Sequence, residues 1–228
     1  VAKYSPAGNL IWVVKSGGTG DASGKRIDVD QWGNIYVGGL YNAAFTLGTT
    51  NITGSYDMFY AKFSPNGTVK WVRNYNSTSG LYLNDMKVSR NGKIHACGKF
   101  YGTMVIGGTT LFASNAYSNI YILRLDSAGL PHWAVSSGGV YDENAYGLDI
   151  DLQGNTYVTG EHFCNGYQPT SLGSQSVACG GTYSGLFLTK LDSTGVFLWA
   201  RSAQASGNVN TIGTDVAADA NGNIYVLG

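Results

Sequence analysis

The stretch Phe59-Tyr60-Ala61-Lys62-Phe63-Ser64-Pro65-Asn66-Gly67-Thr68-Val69-Lys70-Trp71-Val72 decides how this chain folds. Two short runs rich in aromatic and β-branched residues enclose Ser-Pro-Asn-Gly, a sequence suited to a tight reversal. The flanking runs read as strands, so the stretch is a β-hairpin. The pattern recurs. Trp12, Trp71, Trp133 and Trp199 each follow a cation by nine residues (Lys3, Lys62, Arg124, Lys190) and a glycine by four (Gly8, Gly67, Gly129, Gly195). The tryptophans are 59, 62 and 66 residues apart, so nearly four copies of one unit fill the 228 residues.

A second landmark lies between these hairpins. Asp30-Gln-Trp-Gly33-Asn34-Ile-Tyr36-Val37 returns as Asp151-Leu-Gln-Gly154-Asn155-Thr-Tyr157-Val158 and as Asp219-Ala-Asn-Gly222-Asn223-Ile-Tyr225-Val226. It returns in altered form as Ser89-Arg-Asn-Gly92-Lys93-Ile-His95-Ala96, followed by Cys97. Asp or Asn early in a four-residue turn, with Gly near its end, suits a type I turn or one with a bulge. One unit is therefore an antiparallel meander of strands A (26–30), B (35–39), C (58–63) and D (69–73). No window shows a sustained helical period.

A repeat of about 60 residues with four short strands is the signature of a β-propeller blade, in which radial stacking buries sheet faces that one sheet cannot bury alone. The sequence predicts an all-β propeller over 1–228 with three complete blades and two half-blades. Residues 1–15 supply strands C and D of a first blade. Residues 25–75, 83–137 and 145–203 are complete blades, and 212–228 supply strands A and B of a last one. The four tryptophans and the turn glycines Gly33, Gly92, Gly154 and Gly222 are expected to be scaffold, with the indoles packing blade to blade. The favoured expectation is a piece of a larger propeller of about six to eight blades. The alternative is a four-bladed ring in which the two halves pair. Unpaired half-blades also suggest self-assembly through strand edges.

Length variation between copies sits mostly between strands B and C. In a meander the B–C and D–A connections lie at one end and the A–B and C–D turns at the other. Variable loops on a rigid scaffold usually carry function, so the B–C and D–A end is the expected contact face. Charged residues make up only 12% of the chain, and 14 basic residues balance 14 acidic ones. No basic stripe supports nucleic-acid binding, and no apolar run is long enough for membrane insertion as a helix. A surface rich in Ser, Thr, Asn, Gly and Tyr suits a secreted or cell-surface protein. Cys97 is expected to be a buried thiol. Cys164 and Cys179 bracket the longest B–C connection and are candidates for a disulfide of about 3 kcal/mol in an exported protein. A metal site using His162, Cys164 and Cys179 is the weaker alternative, lacking a clear fourth ligand.

The segments 1–12, 30–37 and 59–67, with Trp71, resemble the SBBP family of bacterial β-propeller repeats, and more distantly NHL-type repeats. The resemblance covers nearly the whole chain and departs at Ser89, Lys93, His95 and Cys97. It implies a large exported or surface protein, and it implies no reaction and no catalytic residues. Asp126-Ser127-Ala128 and Asp192-Ser193-Thr194 are similar to a bacterial O-glycosylation acceptor, although a plain Asp-Ser turn accounts for both. Asn51, Asn66 and Asn76 match the N-glycosylation sequon, which arises readily by chance in a chain rich in Asn and Thr.

No nucleophile elbow, metalloprotease helix or phosphate loop is present in the sequence. Sialidase-type Asp boxes are rejected, because their aromatic residue follows the glycine by three residues and here it follows by four. Asp28-x-Asp30-x-x-Gly33 and Asp149-x-Asp151-x-x-Gly154 weakly suggest calcium, but turn capping explains them more simply. No cofactor is expected otherwise. The resulting expectation is a non-catalytic structural or interaction module, active in adhesion, matrix or filament assembly through protein or glycan contacts. The alternatives are an enzyme or a small-ligand binding protein with a site in the central funnel.

Overall fold

The computed structural model describes residues 1–54, 57–114, 116–163, 169–178, 183–205 and 209–228. All regular structure among them is β. The first half-unit supplies β1 (Ala2–Tyr4) and β2 (Leu10–Val13), followed by β3 (Ser16–Gly18). Unit two comprises β4 (Ala22–Val29), β5 (Ile35–Tyr41), β6 (Phe45–Leu47), β7 (Thr50–Ile52), β8 (Asp57–Phe63) and β9 (Val69–Ser77). Unit three comprises β10 (Leu81–Val88), β11 (Ile94–Phe100), β12 (Thr103–Ile106), β13 (Thr109–Phe112), β14 (Asn119–Leu125) and β15 (Pro131–Ser137). Unit four comprises β16 (Glu143–Ile150), β17 (Thr156–His162), β18 (Thr170–Leu172), β19 (Gln175–Val177), β20 (Gly185–Leu191) and β21 (Phe197–Ala203). The last half-unit supplies β22 (Asp215–Ala218) and β23 (Ile224–Leu227).

The four-strand meander is present in every complete unit: β4-β5-β8-β9, β10-β11-β14-β15 and β16-β17-β20-β21. The A–B and C–D turns share one design. Gly33 N bonds to Asp30 O at 3.0 Å and Asp30 N to Asn34 O at 3.1 Å, and the C–D turn repeats this with Gly67, Ser64 and Thr68. The second strands β5, β11 and β17 are buried on both faces except for one position near the end of each. Their interiors carry small residues because the first strand bulges onto them. The pairing of β10 with β11 skips Asn84, which brings the Tyr82 carbonyl down onto Gly98. A Cβ at Gly98 would lie 1.9 Å from that oxygen, so no side chain fits there.

Successive sheets stack face to face and share their cores. Tyr36, Met58 and Tyr60 of unit two pack with Leu83, Met86, Val88 and Phe100 of unit three. Ile120, Ile122 and Trp133 of unit three pack with Leu148, Val158 and Phe187 of unit four. The faces toward the two ends of the series are less covered. Ile27 and Val29 on β4 are 60% and 55% exposed, whereas Met86 and Val88, in the corresponding places on β10, are 3% and 9% exposed. β1–β2 and β22–β23 are separate two-stranded sheets, so the described strands form an open series of stacked sheets.

The B–C connections are not plain loops. Each complete unit folds a short hairpin there: β6–β7, β12–β13 and β18–β19. These hairpins reach back to the preceding unit. β6 pairs with β3, β12 pairs with β9 through Met104↔Ser77 and Val105↔Asn76, and Ser171 bridges to Gly138. Their apolar residues fill the space between sheets, with Phe45, Leu47 and Ile52 in one core and Met104, Ile106 and Leu111 in the next. Each hairpin thus clasps two neighbouring units. Strand D also runs further than its sequence pattern suggests, to Ser77 in β9, because the clasp extends it.

Candidate functional site

At the A–B and C–D end, the repeated residues serve contacts between units. The Trp12 indole donates to the Pro65 carbonyl at 3.1 Å, Trp71 to Ser127 and Trp133 to Ser193, the last two at 3.2 Å. Each ring lies against the turn glycine of the next unit. A Cβ on Gly67, Gly129 or Gly195 would fall within 2.8 Å of Trp12, Trp71 or Trp133 respectively, and all three glycines have φ between 76° and 90°. Trp199 is half-buried and lies 6.3 Å from the Tyr157 ring. Gly33, Gly92, Gly154 and Gly222 all have positive φ, as their turns require.

The paired aspartates divide their work. Asp30 Oδ1 accepts from the backbone N–H groups of Trp32 and Asn34, and its Oδ2 accepts from Asn34 Nδ2 and Tyr36 OH. Those bonds hold its carboxyl below the ordinary range even though partial burial pushes the other way. Asp151 is held in the same way by Asn155, Gln153 and Tyr157. Asp28 and Asp149 point elsewhere: Asp28 Oδ2 accepts the Val88 N–H of the next unit at 2.7 Å, and Asp149 Oδ2 accepts that of Ala218 at 2.8 Å. Asp85 does the same for Leu148 N at 2.9 Å. These carboxylates are therefore committed to turns and to joints between units, and each pair is split rather than converged on one point.

The glycosylation candidates fall on turns and edges. Ser127 is exposed and Ser193 is half-buried, and their carbonyls are the acceptors for Trp71 and Trp133. Asp126 Oδ1 accepts from Ala128 N and Leu130 N, and Asp192 Oδ1 from Thr194 N and Val196 N, so both acceptor-like sequences build Asx turns. Asn66 caps its own turn by accepting from Thr68. Asn51 and Asn76 are exposed, Asn51 on the clasp hairpin and Asn76 on the strand edge with which the next clasp pairs. Cys97 is a buried free thiol. Cys164 and Cys179 lie outside the described residues, and with them the proposed disulfide and the His162-based metal alternative.

The opposite end carries a recess with an exposed aromatic side chain at its rim. A cavity of about 320 Å³ opens where the D–A and B–C connections of units two and three meet. Leu40, Tyr41 and Leu81 supply its apolar walls, and Asp21, Lys25 and Asn42 its polar groups. Tyr82, which is 47% exposed, lies at its rim with Lys99 Nζ 5.2 Å from the ring centre. Asp21 and Asn42 brace the recess by three mutual hydrogen bonds of 2.8, 3.0 and 3.1 Å. The Tyr41 hydroxyl sits between Asp57 and Asn74, and burial pushes its pKa up to about 12, so it remains a neutral phenol. An exposed aromatic face next to paired hydrogen-bonding groups can hold a sugar ring or a peptide segment.

A smaller recess, of about 280 Å³, forms beside the first strands of successive units, and is lined by Arg26 on β4, Asn84 on β10, Tyr146 on β16, and Ile212 and Thr214 just before β22. Asn84 and Tyr146 are the bulge residues skipped in strand pairing. Arg26 Nε is 3.4 Å from Asp85, and Asn84 Nδ2 donates to Ala145 O at 2.7 Å. Among the described residues, no group of three or more His, Cys, Asp or Glu side chains is placed to hold a metal.

Several of these features escape inspection of the sequence. The clasp hairpins have a signal: Gly48, Gly107 and Gly173 recur at 59 and 66 residues with an apolar residue just before and another four positions after. The joints made by Asp28, Asp85 and Asp149 have none, because each acceptor and donor are 60 or more residues apart. No protein-family model and no curated protein matches the chain.

Proposed function

We propose that this chain is a non-catalytic interaction module, that its stacked sheets are blades of a β-propeller, and that it makes its contacts through the B–C and D–A end. The observation that carries this reading is the division of labour between the two ends. The repeated Trp, Gly and Asp residues are consumed in joining units at the turn end. The other end combines connections of unequal length with an aromatic-walled recess around Tyr82. The SBBP-like repeat pattern and the low charge fit an exported, cell-surface setting with glycan or protein partners. The exposed Ile27 and Val29 on β4, and Tyr225 and Leu227 on β23, fit a further unit of the same kind, and so self-assembly through the ends.

The test is a binding screen of the chain against neutral oligosaccharides and displayed peptides, repeated with Tyr82→Ala. Loss of one aromatic stacking face is expected to weaken a genuine ligand by about tenfold, without lowering the thermal midpoint appreciably, because Tyr82 is half exposed. Ligands that bind Tyr82→Ala as tightly as the unaltered chain would refute the proposed contact end. A second reading, a small-ligand or catalytic site at the axis, is favoured by the convergence of Arg26, Asn84, Tyr146 and Thr214. It requires ligand-induced spectral changes at those residues instead.

A further inference from the structure

Unit three differs from its neighbours at one cross-strand position. In unit two, Tyr36 on β5 stands opposite Lys62 on β8, and in unit four Tyr157 stands opposite Lys190. Each phenol donates to the turn carboxylate of its unit, Asp30 or Asp151, at 3.1 Å. Each lysine lies about 5 Å from the centre of the tyrosine ring. In unit four Lys190 Nζ also lies 3.9 Å from Asp151, so that cation, phenol and carboxylate form one cluster, while in unit two the lysine lies over the ring without an ion pair to Asp30. In unit three the same register places His95 opposite Arg124. Ser89 stands where the carboxylate would be, and Lys93 where Asn34 and Asn155 stand in the other units. The cation is kept, its carboxylate is gone, and a second cation is added.

Arg124 is 7% exposed. One Nη donates to the Ser193 carbonyl of unit four, while its buried Nε has no hydrogen-bond partner. Among the described residues no carboxylate forms an ion pair with it. A buried cation with an unused donor is costly unless something accepts from it. Arg124 lines a cavity of about 470 Å³ between the A–B turns of units three and four, with Arg90, Lys93 and His95. The single acidic side chain in that lining is Asp151, whose oxygens already serve Gln153, Asn155 and Tyr157. His95 is held neutral, its pKa pushed down to about 3 by burial and by Arg124 and Lys93, and its Nδ1 lies 2.8 Å from Thr156 Oγ1.

We propose that this cavity binds a small carboxylate ligand, whose oxygens occupy the place of the missing turn aspartate and accept from the Arg124 guanidinium and Lys93. A guanidinium suits a carboxylate because its planar donors match the two oxygens. The volume admits an acid of about monosaccharide size and opens toward the exposed Arg90. The site lies at the turn end, opposite the recess around Tyr82.

The test is an amide NMR titration of the whole chain at low salt with sodium glucuronate, with glucose as the uncharged match and inorganic phosphate as a competing oxyanion. Glucuronate is expected to shift signals of residues 89–95, 124 and 151–154, and glucose is expected to leave them in place. Ser89→Asp restores the carboxylate that the other units carry. It should weaken glucuronate by about tenfold or more and raise the thermal midpoint in the absence of ligand. Lys93→Asn, which restores the asparagine, should weaken binding in the same direction and covers the case in which Ser89→Asp does not fold. No shift at about 10 mM glucuronate, unchanged binding by the folded variants, or binding of phosphate without binding of glucuronate would each overturn the proposal.

Discussion

Glu143 shows how much a single residue can set. It is 1% exposed, its Oε1 accepts from Gly139 N at 2.8 Å and Thr170 Oγ1 at 3.4 Å, and its Oε2 is buried without a partner. Burial pushes its carboxyl from the ordinary 4.5 up to about 8. Between those values the folded chain keeps a proton that the unfolded chain releases. The stabilisation from this group is therefore complete below pH 4.5 and is lost as pH rises through about 8. Urea unfolding at pH 5 and pH 8 should show the unaltered chain losing on the order of a few kcal/mol from this group, and Glu143→Gln losing much less. Parallel pH dependences in the two proteins would mean that Glu143 is not held neutral. Nothing in the sequence marks this residue, since its burial depends on the clasp strand β18 folding over it. Asp30 is the contrast: its partners Trp32, Asn34 and Tyr36 are neighbours in the chain, so its turn-capping role is legible from the motif alone.

The elements depend on where a side chain cannot be. Gly98 and Gly160 lie beneath carbonyls of the bulged first strands, with a notional Cβ 1.9 Å from Tyr82 O and Asn144 O. Gly98→Ala must therefore push β10 off β11, and is expected to cost about 3 kcal/mol or more and to lower the thermal midpoint of the chain. Gly108→Ala, in open space on a clasp hairpin, is the control and should be close to neutral. Equal midpoints for the two variants would show that the bulge relaxes freely. The four meander strands are legible because pattern, turn chemistry and repeat spacing agree. The clasp hairpins are less so. Their strands are only three or four residues long, and what holds them is pairing with the preceding unit, as in Val105↔Asn76, together with packing between sheets. The recess around Tyr82 is hidden for the same reason, since its walls come from Asp21, Leu40 and Leu81, in two different units.

At the scale of the molecule, three kinds of joint repeat along the chain: indole to turn carbonyl, first-strand aspartate to the next first strand, and clasp hairpin to the preceding outer strand. Each involves only adjacent units, as expected for a repeat protein whose stability is a sum of neighbour contacts. Unlike the aspartate joints, the indole and clasp joints recur with the period and so reveal the repeat count and stacking order. They say nothing about how the series closes, because closure depends on contacts that no single unit encodes. The covered Met86 and Val88 beside the uncovered Ile27 and Val29 show what a further unit would bury. The most direct test is an experimental structure of the chain in solution by cryo-EM, enlarged by a rigid binding partner. The propeller account predicts sheets arranged radially, with Arg26, Asn84, Tyr146 and Thr214 around one axis and Trp12, Trp71 and Trp133 each seated on the next unit's turn. Sheets stacked in a straight row, with those four residues lining no common axis, would contradict it.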